Sequence, residues 1–197
     1  VSLAMRLFGS MYGNEPTPYL GGYGSMDVTI PGYIASIVIG TTGLMALPLE
    51  LVARRQQGVL RRFRATPLPP AAVLGSHFAV NLIMTIMGTI LLLIGGVLVY
   101  KTHVPQNPLP LLLGFLLSCL STFSMGFIIA SLVRSINAAR AITMAFFYPM
   151  MFLSGGTIPM VFLPQSVQNI ARWLPMTYSV NLIKDLWFDN GWNGKIG

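Results

Sequence analysis

The residues best suited to chemistry cluster in one stretch, "RRQQGVLRRFRATPLPP", from Arg54 to Pro70. It holds five of the twelve Lys and Arg residues of a chain that is 54% hydrophobic and 9% charged. Charge of this density either anchors the segment on anionic lipid or belongs to a helix that docks a cytoplasmic protein. Glu50 stands four residues before Arg54, the order that favours an ion pair along a helix. Val59, Leu60 and Phe63 fall at i, i+1 and i+4 and make an apolar stripe on a short helix. Arg54, Arg55, Arg61, Arg62 and Arg64 surround that stripe. Gly58 breaks the run before it, and Thr66-Pro67 with Pro69-Pro70 end it.

The remaining reactive inventory is thin. The acidic residues are Glu15, Asp27, Glu50, Asp185 and Asp189, and no two are placed to form a buried pair. His77 and His103 lie near the ends of apolar runs with no carboxylate to pair with, so neither catalysis nor metal binding is expected of them. The lone Cys119 excludes an internal disulfide, leaves no metal cluster, and is expected to be a small packing residue. A GxxxxGK[ST] phosphate loop is absent, so the chain does not bind ATP by that route. No catalytic residue, metal or bound cofactor is therefore assigned to it.

The elements that position the basic stretch are apolar helices. From Phe78 to Val99, and from Leu111 to Val133, there is no Asp, Glu, Lys or Arg. About 20 such residues cross roughly 30 Å of hydrocarbon, and in lipid a helix satisfies its own backbone. The fold class is all-α, a polytopic membrane protein with one transmembrane domain over residues 1–197. Spans are expected at Tyr33–Val52, Phe78–Val99, Leu111–Val133 and Ala138–Ser154, the last interrupted by Pro149. Residues 1–12 suggest the tail of a truncated span, and "GNEPTPYLGGYGSMDVTIPG" a Gly- and Pro-rich loop. The first residue is Val, and no signal peptide is recognisable, as in a piece of something longer.

A net charge of +7 would suggest nucleic acid in a soluble protein. Here the cations flank spans and meet anionic headgroups instead, and no nucleic-acid partner is expected. The Arg54–Arg64 and Arg134–Arg140 loops hold five and two Lys or Arg, while the turn between them holds only Lys101. That asymmetry puts both loops in the cytoplasm. Beyond Gly155, glycines and prolines break the helix. Gln165–Trp173 and Thr177–Phe188 are expected as short helices of an outer re-entrant or interfacial hairpin across 155–190. Trp173, Trp187, Trp192 and Tyr178 are expected at headgroup level, and a further span beyond Gly197.

Two features inside the spans bear on function. Gly114, Ser118, Thr122, Gly126 and Ala130 are each four apart and share one face of the third span, where backbones approach closely. That face either packs statically or slides along a neighbour. Asn81, Thr85 and Thr89 mark a similar polar face on the second span, as interhelical bonds or the lining of a path. Met84, Met87, Met125, Met144, Met150 and Met151 offer adaptable apolar surface, for ordinary packing or for a lipid-like or drug-like substrate.

Taken together, these segments resemble the permeases of the type-2 ATP-binding-cassette exporter family. Glu50 followed by "ARRQQGVLRRFRATPLPP" is similar to that family's cytoplasmic stretch: a charged run, a Gly, a Leu-basic pair, then an "RATPL" turn. "SLVRSINAAR" before a span, then "FLSGGTIPMVFLP" and "IARWLPMTYSVNLIKDLWF", supply its second hallmark, in order over roughly residues 33–190. Prokaryotic drug, lipid and polysaccharide exporters are the most similar in character. The resemblance implies six spans per subunit, with an outward hairpin between the fifth and sixth. It implies a second permease subunit and a separate ATPase subunit carrying ATP and Mg. Residues 53–70 become the coupling helix, with Glu50, Arg54, Arg55, Gly58, Val59, Leu60, Arg61, Arg62 and Phe63 as the ATPase-coupling set. The multi-pass chain would sit in the inner or plasma membrane and export a drug, lipid or glycan. A different class stays open: a non-transporting scaffold or receptor whose basic helix binds anionic lipid or a cytoplasmic partner.

Overall fold

A computed structural model describes residues 25–57, 70–100, 102, 108–157 and 164–188. Among these residues every regular element is helical. Four helices, Thr29–Gln56, Leu74–Val99, Pro108–Leu132 and Ile136–Leu153, are long and apolar enough to cross a membrane.

The first of these is a composite rod. Helix α1 (Ser25–Tyr33) passes into two wide-turn π segments, Ile34–Ile39 and Thr41–Ala46, and then into α2 (Leu47–Gln56). Gly40, between the π segments, keeps helical angles (φ −65, ψ −45), so the rod is continuous. Its chemistry explains the loosened turns. Pro31 and Pro48 cannot donate to the ladder and crowd the carbonyl a turn behind. Hydroxyls take up carbonyls in between: Ser36 Oγ donates to Gly32 O at 2.7 Å and Thr41 Oγ1 to Ile37 O at 2.6 Å. Thr42 Oγ1 does the same to Val38 O. Such back-bonding widens and bends helices.

Helix α3 (Pro70–Tyr100), α4 (Pro108–Leu132) and α5 (Ile136–Leu153) follow, then the short α6 (Gln165–Ala171) and α7 (Pro175–Trp187). Several ends differ from the sequence expectation. The stretch through Gly32, expected as loop, is helical from Ser25, with Asp27 in the first turn where the helix dipole favours a carboxylate. α3 begins eight residues before Phe78, because Pro70 suits a first helical turn. Pro149 does not interrupt α5, which runs through it to Leu153. A membrane helix tolerates this where neighbours re-satisfy the freed carbonyl. Ser135 caps α5 by accepting from Ala138 N at 3.3 Å, and Gly155 (φ 76) turns the chain after it.

The core lies where α4 packs between the rod and α7. Ile34, Ile39, Leu47, Phe115, Cys119, Phe123, Val180, Ile183 and Trp187 form one buried cluster there. Among the described residues α3 is peripheral: little of its apolar length is buried, against half of the rod's. Its ties to the rest of the bundle include Phe78 edge-on to Phe123 at 5.4 Å and Thr85 Oγ1 donating to Thr42 Oγ1 at 2.9 Å.

Candidate functional site

The rod ends in "LPLELVARRQ", and this end carries the described part of the basic cluster. Glu50 and Arg54 share a helix face, and Arg54 Nη2 donates to Glu50 Oε1 at 2.6 Å. The pair is open to solvent, with Arg54 half exposed, so it contributes between zero and about 1 kcal/mol. Arg55 lies about 100° further round the helix and reaches across to α4. Its Nη2 donates to Ala130 O at 3.1 Å and to Val133 O. Beneath it Val52, Ala130, Val133 and Ala139 form a buried apolar cluster. The expected coupling residues Gly58, Val59, Leu60, Arg61, Arg62 and Phe63, with Arg64, lie outside the described residues.

One expectation is corrected here. His77, expected to stand without a carboxylate, has Nδ1 3.7 Å from Glu50 Oε1, with its side chain 8% exposed. Glu50 lies near the end of the first span and His77 near the start of the second, so topology brings both to the same side of the bundle. Among the described residues no three His, Cys, Asp or Glu side chains gather.

The small-residue stripe runs toward this same end. Gly114, Ser118, Thr122, Gly126 and Ala130 are all buried, but they meet different neighbours. Gly114 faces Leu182 and Leu186 of α7, while Thr122 and Gly126 face Gly43 in the rod. The stripe's last member, Ala130, supplies a carbonyl to Arg55. Ser118 Oγ is buried without a hydrogen-bond partner among the described residues. On α3, Asn81, Thr85 and Thr89 mostly bond carbonyls of their own helix: Asn81 to His77 O at 2.9 Å, Thr85 to Asn81 O at 2.7 Å, Thr89 to Thr85 O at 2.8 Å. Of the methionines, Met84 and Met87 are exposed and Met150 is buried.

At the opposite end of the spans, α7 docks into the core instead of lying on a surface. Trp187, expected at headgroup level, is 5% exposed inside the core, whereas Trp173 is 87% exposed and Tyr178 half exposed; Trp192 lies outside the described residues. Met176, Val180, Ile183 and Trp187 are buried and recur at helical spacing, so they form the inward face of α7. Lys184 Nζ donates to Gly155 O at 2.6 Å, tying α7 to the turn after α5. Burial lowers the pKa of Lys184 and raises that of Asp185, since each loses hydration of its charged form. Gly32 and Gly156 touch so closely that a Cβ on Gly32 would sit 2.5 Å from Gly156 O.

The geometry is that of a helical membrane bundle with a charged junction at one end, and comparison with known proteins agrees. A family model described as "ABC-2 type transporter" matches residues 2–188. The chain is 27% identical over 153 residues to "Inner membrane transport permease YhhJ" of Escherichia coli (strain K12), and equally to the protein of that name in Shigella flexneri. The match covers 74% of this chain and 40% of each relative's length. No solved structure gives a significant match.

Proposed function

Because the chain belongs to the ABC-2 type transporter family, we propose that it is the permease part of an ATP-driven exporter in the inner membrane. A separate ATP-binding-cassette ATPase would bind the cytoplasmic segment after Gln57 and supply the ATP and Mg chemistry. A second permease subunit would complete the pathway. The substrate would be hydrophobic or amphipathic: a drug, a lipid or a glycan carrier. The relatives' printed name, inner membrane transport permease, supports both the compartment and the transport role.

The observation that carries the reading is the junction at Glu50–Gln57. The rod enters the basic segment with Arg55 bonded to α4 and Glu50 beside His77 of α3. A partner pressing on residues 58–69 would thus act on three spans at once. In that role Val59, Leu60 and Phe63 enter a groove on the ATPase while Arg61 and Arg62 orient it. Only differential contact with two global states can do such work.

Purification from native membranes should capture a protein carrying a phosphate loop. In liposomes, Arg61→Glu with Arg62→Glu should abolish ATPase capture or stimulation while membrane insertion persists. Normal, substrate-stimulated ATP hydrolysis by that double variant would sink the proposal. Binding that follows salt and anionic lipid content alone, with no stoichiometric protein partner, would favour a lipid-anchored scaffold instead.

A further inference from the structure

We infer that Arg55 is a positioning residue that clamps the end of the rod to the α4–α5 turn, so that rod, α4 and α5 move as one body. Its transmitting role rests on the permease reading above; the clamp itself does not.

The two adjacent arginines look equivalent in sequence, and their partners separate them. Arg54 folds back on Glu50 of its own helix in solvent. Arg55 spans to backbone atoms 75 and 78 positions away. Those atoms are where a cation is needed. The last four carbonyls of a helix have no partner within it, and they carry the negative end of the helix dipole. α4 ends at Leu132, and only Val133, Arg134 and Ser135 separate it from α5. Ala130 O and Val133 O are therefore orphan carbonyls, one in the last turn and one just past it.

Both bonds leave the one Nη2, whose two N–H groups lie fixed in the guanidinium plane and so hold the two carbonyls in one geometry, which a freely rotating ammonium does less well. Two members of the buried cluster of Val52, Ala130, Val133 and Ala139 supply the carbonyls that Arg55 holds, and the four side chains of that cluster have no polar group to fix its register. Of the other charged groups near this turn, Arg134 and Arg140 are exposed, and like charge gives them no claim on Arg55. Glu50, the nearest carboxylate along α2, is engaged by Arg54 and flanked by His77. Nothing among these draws Arg55 away from α4.

The test places spin labels at Gln56→Cys and Asn137→Cys, both exposed positions, in a Cys119→Ala background, with the full chain in lipid nanodiscs. The clamp predicts one narrow interlabel distance in the parent and in Arg54→Gln. Arg55→Gln should broaden that distribution beyond the spread of the label itself, and Arg55→Lys should restore it in part. With the captured ATPase trapped by ATP and vanadate, parent α2 and α5 should keep their separation; in Arg55→Gln it should change although the ATPase still binds. A parent-like distribution for Arg55→Gln in nanodiscs overturns the clamp. So does loss of ATPase capture by Arg55→Gln with the distance unchanged, which would make Arg55 an ATPase contact. If the parent captures no ATPase, the permease reading fails, while the nanodisc distances of the chain alone still decide the clamp.

Discussion

Gly126 and Gly114 belong to the same stripe of five small residues spaced four apart, yet the structure gives substitution at each a different cost. A methyl at Gly126 would press into the Gly43 carbonyl oxygen, 3.2 Å from its carbonyl carbon and 3.4 Å from Leu47 Cδ2. Two of these three atoms are backbone, so α4 and the rod must part by on the order of 1 Å to restore the roughly 3.3 Å carbon-to-oxygen contact. At Gly114 the obstacles are the tips of Leu182 and Leu186, which can rotate. Overpacking that moves backbone costs about 1–3 kcal/mol, and Gly126→Ala belongs at the upper end, about 2–3 kcal/mol. At roughly 2–4 °C per kcal/mol for a chain of this size, its Tm should fall by about 4–12 °C. Gly114→Ala should lose under about 1 kcal/mol. Gly95→Ala, which meets nothing within 4 Å, should match the parent. Intrinsic tryptophan fluorescence on heating at one fixed scan rate, in one detergent, measures all three. A Tm for Gly126→Ala equal to or above that of Gly114→Ala would refute backbone contact between α4 and the rod, and with it static packing of this half of the stripe.

Two further outcomes follow from burial. Ser118→Ala should leave Tm unchanged or raise it by the equivalent of about 1 kcal/mol, because it removes a buried hydroxyl that has no partner among the described residues; a clear fall would reveal a hydrogen bond at that site. Chains keeping only Trp173 or only Trp187, the other tryptophans changed to Phe, should differ severalfold in quenching by brominated lipid and iodide together. Trp173 is open and Trp187 is closed off, and equal quenching would contradict the docking of α7.

The spans were legible because uncharged runs of about 20 residues have few alternatives, and the stripe because small residues every fourth position share one helix face. The loop expected through Gly32 misled because Gly and Pro punctuate soluble chains, whereas this membrane rod stays helical through Pro31 and Pro48, with widened turns between them. Trp187 misled for a related reason. Its residue type suggested the interface, but its spacing from Val180 and Ile183 placed it on the inward face, and spacing prevailed. The His77–Glu50 approach was accessible from topology, since the end of one span and the start of the next return to the same side. Arg55 was not accessible in that way. Its acceptors are backbone carbonyls of Ala130 and Val133, and a carbonyl has no residue type that a sequence pattern can display.

That last difference bears on how the basic stretch is divided. Counted as charge, the five arginines between Arg54 and Arg64 form one cluster. Counted by partner, two of them are already committed within the chain, Arg54 to Glu50 and Arg55 to α4. A force on residues 58–69 has two covalent exits, Gln57 into the rod and Pro70 into α3. The rod is half buried and bonded to α4, whereas the described residues cover little of α3. A stiff exit transmits displacement and a loose one yields to it. The arginine at the stiff exit therefore serves transmission, which leaves Arg61 and Arg62 as the residues whose charge a partner would read. Reversing those two should cost binding, and neutralising Arg55 should cost movement with binding intact.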